Sequence, residues 1–404
     1  MAKRSIKDLN LKGRRVLMRV DFNVPIKNGA ITDDTRIRAS VPTIRYALDH
    51  DAAAVILCSH LGRPKGKPNP EYSLKPVAAR LGELLKRPVV FAEDSVGTAP
   101  TRAIAEAGNN GVVLLENLRF HAEEEKNDPA FAKQLAELAD VYVDDAFGSA
   151  HRAHASTEGV VRFVKESAAG LLMADELEHL GRVLERPDHP FVAILGGAKV
   201  SDKLEVIENL LPRVDALLIG GAMAYTFFKS RNLPVGKSLV ENELLDAARQ
   251  IAERATSRSL RFELPADHVV APRLEALRQG SGQAGSEVET LAVGDLAIGD
   301  RMGLDIGPKT IEIYRSVIAG AKTVIWNGPR GVFEIDAFAK GTIEVAKAVA
   351  AVKGTTVIGG GDSISAAAKA GVTDRITHIS TGGGASLEFL GGRELPGVAI
   401  LPNA

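Results

Sequence analysis

Arg36, Arg63, Arg119 and Arg152 carry the first chemistry that this chain suggests, because each follows an apolar run. Residues 16–20 run into Asp21-Phe22-Asn23, with Arg36 further on, and residues 52–58 run into His60-Leu61-Gly62-Arg63. Residues 112–115 lead to Arg119-Phe120-His121, and 141–143 to Asp144-Asp145 and then His151-Arg152-Ala153-His154. One arginine beyond a strand is an ordinary surface charge. Four of them, with His60 beside one, point to a small anion of several charges, since the guanidinium fork pairs with carboxylate and phosphate. Asp21 cannot attract an anion, so Asp21 and Asn23 suit its hydroxyl groups.

The second half ends its apolar runs in glycine. Residues 191–195 meet Gly196-Gly197-Ala198-Lys199, and 216–219 meet Gly220-Gly221. Residues 356–358 meet Gly359-Gly360-Gly361-Asp362, and 376–380 meet Thr381-Gly382-Gly383-Gly384. A single such run is a tight turn between strand and helix. Four of them, with Lys199, Lys203 and Asp362 close by, suit phosphates cradled by backbone N–H groups at helix starts. Asp362 suits Mg²⁺, which binds nucleotide phosphates through one or two protein carboxylates. An anion half and a phosphate half in one chain suggest phosphoryl transfer.

The elements that must hold these loops alternate short β-branched runs with longer Ala/Leu/Glu/Lys/Arg stretches. That pattern predicts parallel sheets with helices on both faces, and ligands beyond the carboxyl ends of the strands. Residues 127–140 are expected to be helical, with Asp128 as N-cap, Pro129 at the first position and Phe131, Leu135 and Leu138 as an apolar stripe. Helices are also expected over 342–352 and 363–370. A charged helical stretch at 173–185, closed by Arg186-Pro187, lies between the last cationic loop and the first glycine loop, and reads as a connector.

Some motifs do not survive their context. Gly280-Ser281-Gly282-Gln283-Ala284-Gly285 matches the dinucleotide string GxGxxG but follows Leu277-Arg278-Gln279 rather than a strand. It reads as a flexible surface insertion over 279–286. Gly236-Lys237-Ser238 imitates the end of a phosphate loop, yet Arg231 occupies the place of its first glycine, so a turn is expected. His151 and His154 with Asp144 and Asp145 have a spacing that suggests a metal, but no zinc-spaced His/Cys set accompanies them and Arg152 would repel a cation.

Composition bounds the rest. A chain of 404 residues suits two domains. Fifty Lys+Arg against 51 Asp+Glu leave a net charge of -1, so no bulk attraction to nucleic acid or membrane is implied. The single cysteine, Cys58, cannot form an intrachain disulfide, which fits a reducing compartment. With neither a signal-like apolar start nor a membrane-length apolar run, a cytoplasmic location is expected.

Six segments carry a resemblance. They are Val20-Asp21-Phe22-Asn23-Val24-Pro25, Ser59-His60-Leu61-Gly62-Arg63-Pro64 and Glu116-Asn117-Leu118-Arg119-Phe120-His121 in the first half. Leu195-Gly196-Gly197-Ala198-Lys199-Val200, Trp326-Asn327-Gly328-Pro329 and Ser380-Thr381-Gly382-Gly383-Gly384 follow in the second. Together and in this order, over about residues 6–401, they resemble the phosphoglycerate kinase family. The resemblance implies an α/β fold: two doubly wound parallel-sheet (Rossmann-like) domains joined by a hinge helix, a bilobal kinase. It implies a phosphoglycerate-binding domain at 1–172, the hinge helix at 173–186, a nucleotide-binding domain at 187–386 and a last segment, 387–404, that returns to the first domain. The implied reaction moves a phosphoryl group between 1,3-bisphosphoglycerate and MgADP, giving 3-phosphoglycerate and MgATP, in a monomer.

By the same resemblance, Asp21, Asn23, Arg36, His60, Arg63, Arg119 and Arg152 form the phosphoglycerate site. Gly197, Gly221, Leu304 and Val332 line the adenine slot, and Glu334 holds the ribose hydroxyls. Lys199, Lys203, Asn327, Gly359, Gly360, Gly361, Asp362 and Ser363 serve the rest of the nucleotide, with Asp362 toward Mg²⁺. Arg36, Lys203 and the amides of Gly382, Gly383 and Gly384 are the expected stabilisers of the phosphoryl group in flight. Three positions depart from the commonest pattern: Ala222 where a third glycine often stands, Arg330 at an often apolar position, and Ser363 in place of threonine. Two rivals are a nicotinamide-dependent oxidoreductase, whose fingerprint lies in the wrong context, and a bilobal binding protein, which would need an export signal and has no use for a second phosphate site.

Overall fold

Long β-branched runs with no polar alternation become strands covered on both faces, which is the condition of a parallel sheet between helices. The computed structural model describes residues 3–272 and 288–404. The chain divides into two units, Met1–Glu178 with Glu394–Ala404, and His179–Arg393. The division falls inside the helix Leu171–Glu185.

The first unit holds β1 (Arg15–Arg19), β2 (Ile26–Lys27), β3 (Ala30–Ile31), β4 (Ala54–Cys58), β5 (Val90–Ala92), β6 (Gly111–Leu115), β7 (Val141–Asp144) and β8 (Ser167–Ala169). β2 and β3 form a small antiparallel ribbon, while the others make one sheet in the order β5-β6-β4-β1-β7-β8. Every neighbouring pair in that sheet is parallel, with Leu17 opposite both Ile56 and Tyr142. All residues of β4, β6 and β7 are buried. Helices Thr35–Asp49 and Lys75–Leu85 bury stripes that include Ile37, Ile44 and Leu48, and Val77, Leu81 and Leu85. Cys58 is a buried free thiol, and burial pushes its pKa up to about 12. The C-terminal segment is fastened by Gly397 N–H to Ala150 O at 2.8 Å and by Arg4 N–H to Pro402 O at 2.9 Å.

The helix expected over 127–140 is shorter, Pro129–Ala136. Asp128 caps it by accepting from the N–H groups of Ala130 and Phe131. It stops early because Asp140 must exchange bonds with β1. Its N–H donates to Arg15 O, and its Oδ2 accepts from Arg15 N–H, both at 2.9 Å. That exchange draws the chain out of the helix and into β7.

The second unit contains β9 (Phe191–Leu195), β10 (Ala216–Ile219), β11 (Arg261–Glu263), β12 (Asp267–Ala271), β13 (Glu289–Ala292), β14 (Met302–Ile306), β15 (Thr323–Asn327), β16 (Thr355–Gly359) and β17 (His378–Ser380). Its parallel sheet runs β11-β10-β9-β15-β16-β17. In chain order this is the doubly wound arrangement, with the reversal between β9 and β15. Trp326 and Tyr314 are fully buried in the core beside Val324, Val345 and Ile358. A second, antiparallel sheet, β13-β12-β14, was not among the sequence expectations. The two doubly wound parallel sheets were, and both are present.

Candidate active site

In the first unit, the loops after β1, β4, β6 and β7 leave the carboxyl ends of adjacent strands. Arg36 is not in a loop, contrary to the sequence expectation: it stands in the first turn of the helix Thr35–Asp49. Its Nη1 donates to Asn23 O at 3.1 Å and lies 3.2 Å from Asp21 Oδ2. Asn23 Oδ1 in turn accepts from Gly62 N–H at 3.0 Å, and Arg119 Nη1 donates to Gly62 O at 2.8 Å. Three loops are thereby strapped together at Gly62. That residue has φ +61, and a Cβ there would come within 2.3 Å of the Tyr72 ring, so only glycine fits.

His60 is buried, and its Nδ1 lies 3.1 Å from Arg19 Nη2. Arginine has only donors, so Nδ1 must accept and the neutral ring carries its proton on Nε2. The ring is kept neutral: burial drives its pKa well down, and Arg19, Arg119, Arg36 and His154 push the same way. His154 is depressed to about 3 by burial and by Arg119, Arg19 and Arg152. These mutual effects place Arg36, His60, Arg119, Arg152 and His154 in one cationic neighbourhood. Burial lowers the Arg119 pKa, while Arg63 is exposed.

Beneath this neighbourhood lies a buried chain that sequence reasoning did not single out. Arg19 Nε donates to Ser156 Oγ at 2.8 Å, and that hydroxyl donates to Glu124 Oε1 at 2.6 Å. Asn117 joins two loops by accepting from Leu61 and Arg119 N–H and donating to Leu61 O and Tyr72 O. Asp144 and Asp145 are fully buried: Asp144 Oδ1 accepts from Ala146 N–H, and Asp145 Oδ1 caps the helix Leu171–Glu185 by accepting from Leu172 and Met173 N–H.

In the second unit, a cavity of about 310 Å³ opens beside the glycine loops. Gly197, Gly221, Leu304, Val332, Glu334 and Asp362 all line it. Gly221 has φ +71, and a Cβ there would lie 2.6 Å from Gly197 O, so these two loops touch because Gly221 has no side chain. Leu304 is buried and Glu334 exposed, which makes one side of the cavity apolar and leaves a carboxylate at its mouth. Asp362 is exposed, in the first turn of the helix Gly361–Lys369. Lys199 is exposed, while Lys203 stands at the N-cap position of the helix Leu204–Leu210 with no capping bond from its side chain. Burial lowers the Lys203 pKa, and Asp202 and Asp362 oppose that shift.

Asn327 and Ser363 are buried and turned toward the loops. Asn327 Nδ2 donates to Gly359 O at 2.7 Å, and Ser363 Oγ accepts from Gly328 N–H at 2.6 Å. Gly382, Gly383 and Gly384 open the helix Gly384–Leu390, with Gly382 N–H donating to Ser380 Oγ at 3.3 Å. Tyr225 and His268, which share a 2.7 Å hydrogen bond in the cavity wall, carried no recognisable sequence signal. Gly236-Lys237 forms a turn. The glycine-rich insertion at 279–286 lies outside the described residues.

The geometry is a cationic surface in one unit and a glycine-walled cavity in the other, and comparison with known proteins agrees. The phosphoglycerate kinase family model matches residues 6–393. The phosphoglycerate kinase of Koribacter versatilis is 56% identical over 411 residues, covering 100% of both chains. That of Solibacter usitatus is 59% identical over 402 residues, covering 98% of each. The solved structure of phosphoglycerate kinase from Coxiella burnetii superposes with a TM-score of 0.87 at 42% identity, covering 98% of each chain. The chain belongs to the phosphoglycerate kinase family, phosphotransferases with a carboxyl acceptor that serve glycolysis.

Proposed function

We propose that the first unit holds the phosphoglycerate and the second the nucleotide, for reversible transfer between 1,3-bisphosphoglycerate and MgADP to give 3-phosphoglycerate and MgATP. The observation that carries this division is the contrast between the cations acting on His60 and His154 in one unit and the glycine-walled cavity in the other. Arg63, Arg119, Arg152 and the Nε2–H of His60 take the anionic groups, and Asp21 and Asn23 take the hydroxyl. Gly197, Gly221, Leu304 and Val332 hold the base and Glu334 the ribose. Lys199, Lys203 and the Gly359–Gly361 amides face the phosphates, while Asn327 and Ser363 set the loops that present them.

Mg²⁺ fits Asp362, an exposed carboxylate on the cavity wall that forms no ion pair among the described residues. When bound with the nucleotide, the ion would neutralise phosphate charge. The chain's own work is electrostatic. A carboxylate acceptor needs no base, and the acyl phosphate leaves as a carboxylate. Arg36, Lys203 and the Gly382–Gly384 amides stabilise the charge on the moving group. Because they come from different units, transfer requires the units to close on both substrates, which also excludes water. A cytoplasmic monomer completes the proposal; no helix among the described residues is long and apolar enough to cross a membrane.

A coupled assay with 3-phosphoglycerate and ATP, joined to calorimetry with MgADP, NADH and 3-phosphoglycerate separately, tests the reading. Turnover with binding of MgADP and 3-phosphoglycerate is expected. Binding of NADH, or of the anion alone, would favour one of the rival classes.

A further inference from the structure

Arg330 is 1% exposed and lies where the strand order of the second unit reverses. Its Nη1 donates to Leu195 O at 2.8 Å and Leu218 O at 3.3 Å, and its Nη2 to Gly328 O at 2.7 Å. One side chain therefore joins the carboxyl ends of β9, β10 and β15, where the glycine loops begin. Its backbone closes the same junction, with its N–H donating to Thr342 Oγ1 at 2.9 Å and its O accepting from Gly221 N–H at 3.0 Å. The side chain also accounts for two glycines. A Cβ on Gly196 would lie 2.3 Å from Arg330 Nη2, and one on Gly220 2.8 Å from its Cδ.

The three carbonyls do not by themselves explain a buried cation. Leu195 O already accepts from Gly220 N–H at 3.0 Å, and Gly328 O from Trp326 Nε1 at 2.7 Å. No carboxylate forms an ion pair with Arg330 among the described residues, and its buried Nε has no hydrogen-bond partner. Asp305 acts on it only at a distance, and burial raises that carboxyl to about 7. A desolvated charge without a counter-ion is costly, unless an anion arrives to supply one. Attraction through a dry interior is also poorly screened by salt. The charge is felt at Lys203, whose pKa is lowered by burial first and by Arg330 as well. A field that disfavours a second cation there favours an anion.

We infer that Arg330 is a positioning residue of the nucleotide half-site, a fixed buried charge that fastens three strand ends beneath the glycine loops and draws the nucleotide phosphates onto them. The inference rests on the nucleotide reading proposed above. It predicts that the contribution of Arg330 grows with the charge of the ligand.

The test is calorimetry of adenosine, AMP, ADP and ATP against the intact enzyme and the variants R330M, R330Q and R330K. In R330M the adenosine affinity should stay within two-fold, and the ADP affinity should fall by at least about ten-fold, a change of ~1.4 kcal/mol. R330K should restore the ADP-to-adenosine ratio, and 3-phosphoglycerate affinity should not change in any variant. If R330M does not fold, R330Q, neutral but still a donor, reads the same ratio. Equal losses for adenosine and ADP, or none, would overturn the inference, as would failure of both neutral variants to fold while R330K folds. If the unaltered enzyme bound ADP no better than adenosine, the nucleotide reading itself would be at fault.

Discussion

In the proposed phosphoglycerate site, Arg36 and Arg63 separate two ways an arginine can serve one anion. Arg36 is half-buried and held by Asp21 and Asn23, so its fork is set before substrate arrives. Arg63 is exposed. Arg36→Ala should lower kcat on the order of 10³-fold, as removal of an arginine that meets the moving phosphoryl group does. Arg63→Ala should mainly raise KM for phosphoglycerate; steady-state kinetics of the pair checks this, and equal effects on kcat would contradict it. His60 adds a test of protonation. Nitrogen NMR should find its ring neutral at pH 6 with the proton on Nε2, because Arg19 occupies Nδ1. In Arg19→Met that tautomer preference should disappear, whereas an unchanged tautomer would mean that Arg19 does not set it. Gly62→Ala should cost about 1–3 kcal/mol in denaturant melts, from a left-handed backbone and a clash with Tyr72.

The elements matter here as devices that deliver loop residues to one edge of a sheet, and their caps carry a measurable pH signature. Asp145 caps the helix Leu171–Glu185, and burial raises its pKa from 3.8 to about 7. Below pH 4 the group is protonated in both folded and unfolded chains. Between about pH 4 and 7 the folded chain keeps a proton that the unfolded chain releases, so this group's contribution to stability falls as pH rises through that window. Asp145→Asn removes that loss. Denaturant titrations should show the variant gaining on the unaltered protein from pH 4 to 7 and then levelling off, and a constant difference would refute the assignment. The strand runs were readable because strands buried on both faces, such as β4 and β9, are almost wholly apolar. The sheet β13-β12-β14 was not readable, since β13 alternates weakly and pairs antiparallel across distant sequence. Arg36 was misplaced because Thr35–Asp49 opens with polar residues and contains Pro42, which hides its helical start. Arg330 was visible only as an odd residue in a known segment; its role depends on the carbonyls of Leu195 and Leu218, distant in sequence, as well as that of Gly328.

At the scale of the molecule, the proposed division gives each unit half of a reaction, and a ligand shifts an open–closed equilibrium only by its differential affinity for the closed form. Scattering should therefore find the largest compaction with MgADP and 3-phosphoglycerate together, and full compaction with either alone would contradict two-ligand closure. The cationic loops and glycine runs were legible as chemistry because Arg, His, Gly and Lys recur at strand ends. The supports beneath them, Asn117, Ser156 and Glu124, were not, since their partners are fixed only by the fold. The central claim is the division of substrates between the units, and calorimetry of Arg119→Ala and Lys203→Ala with each substrate tests it most directly. Arg119→Ala should lose 3-phosphoglycerate affinity by about ten-fold or more and keep that for MgADP, while Lys203→Ala should do the reverse. A variant that weakened both ligands to the same degree would contradict the division.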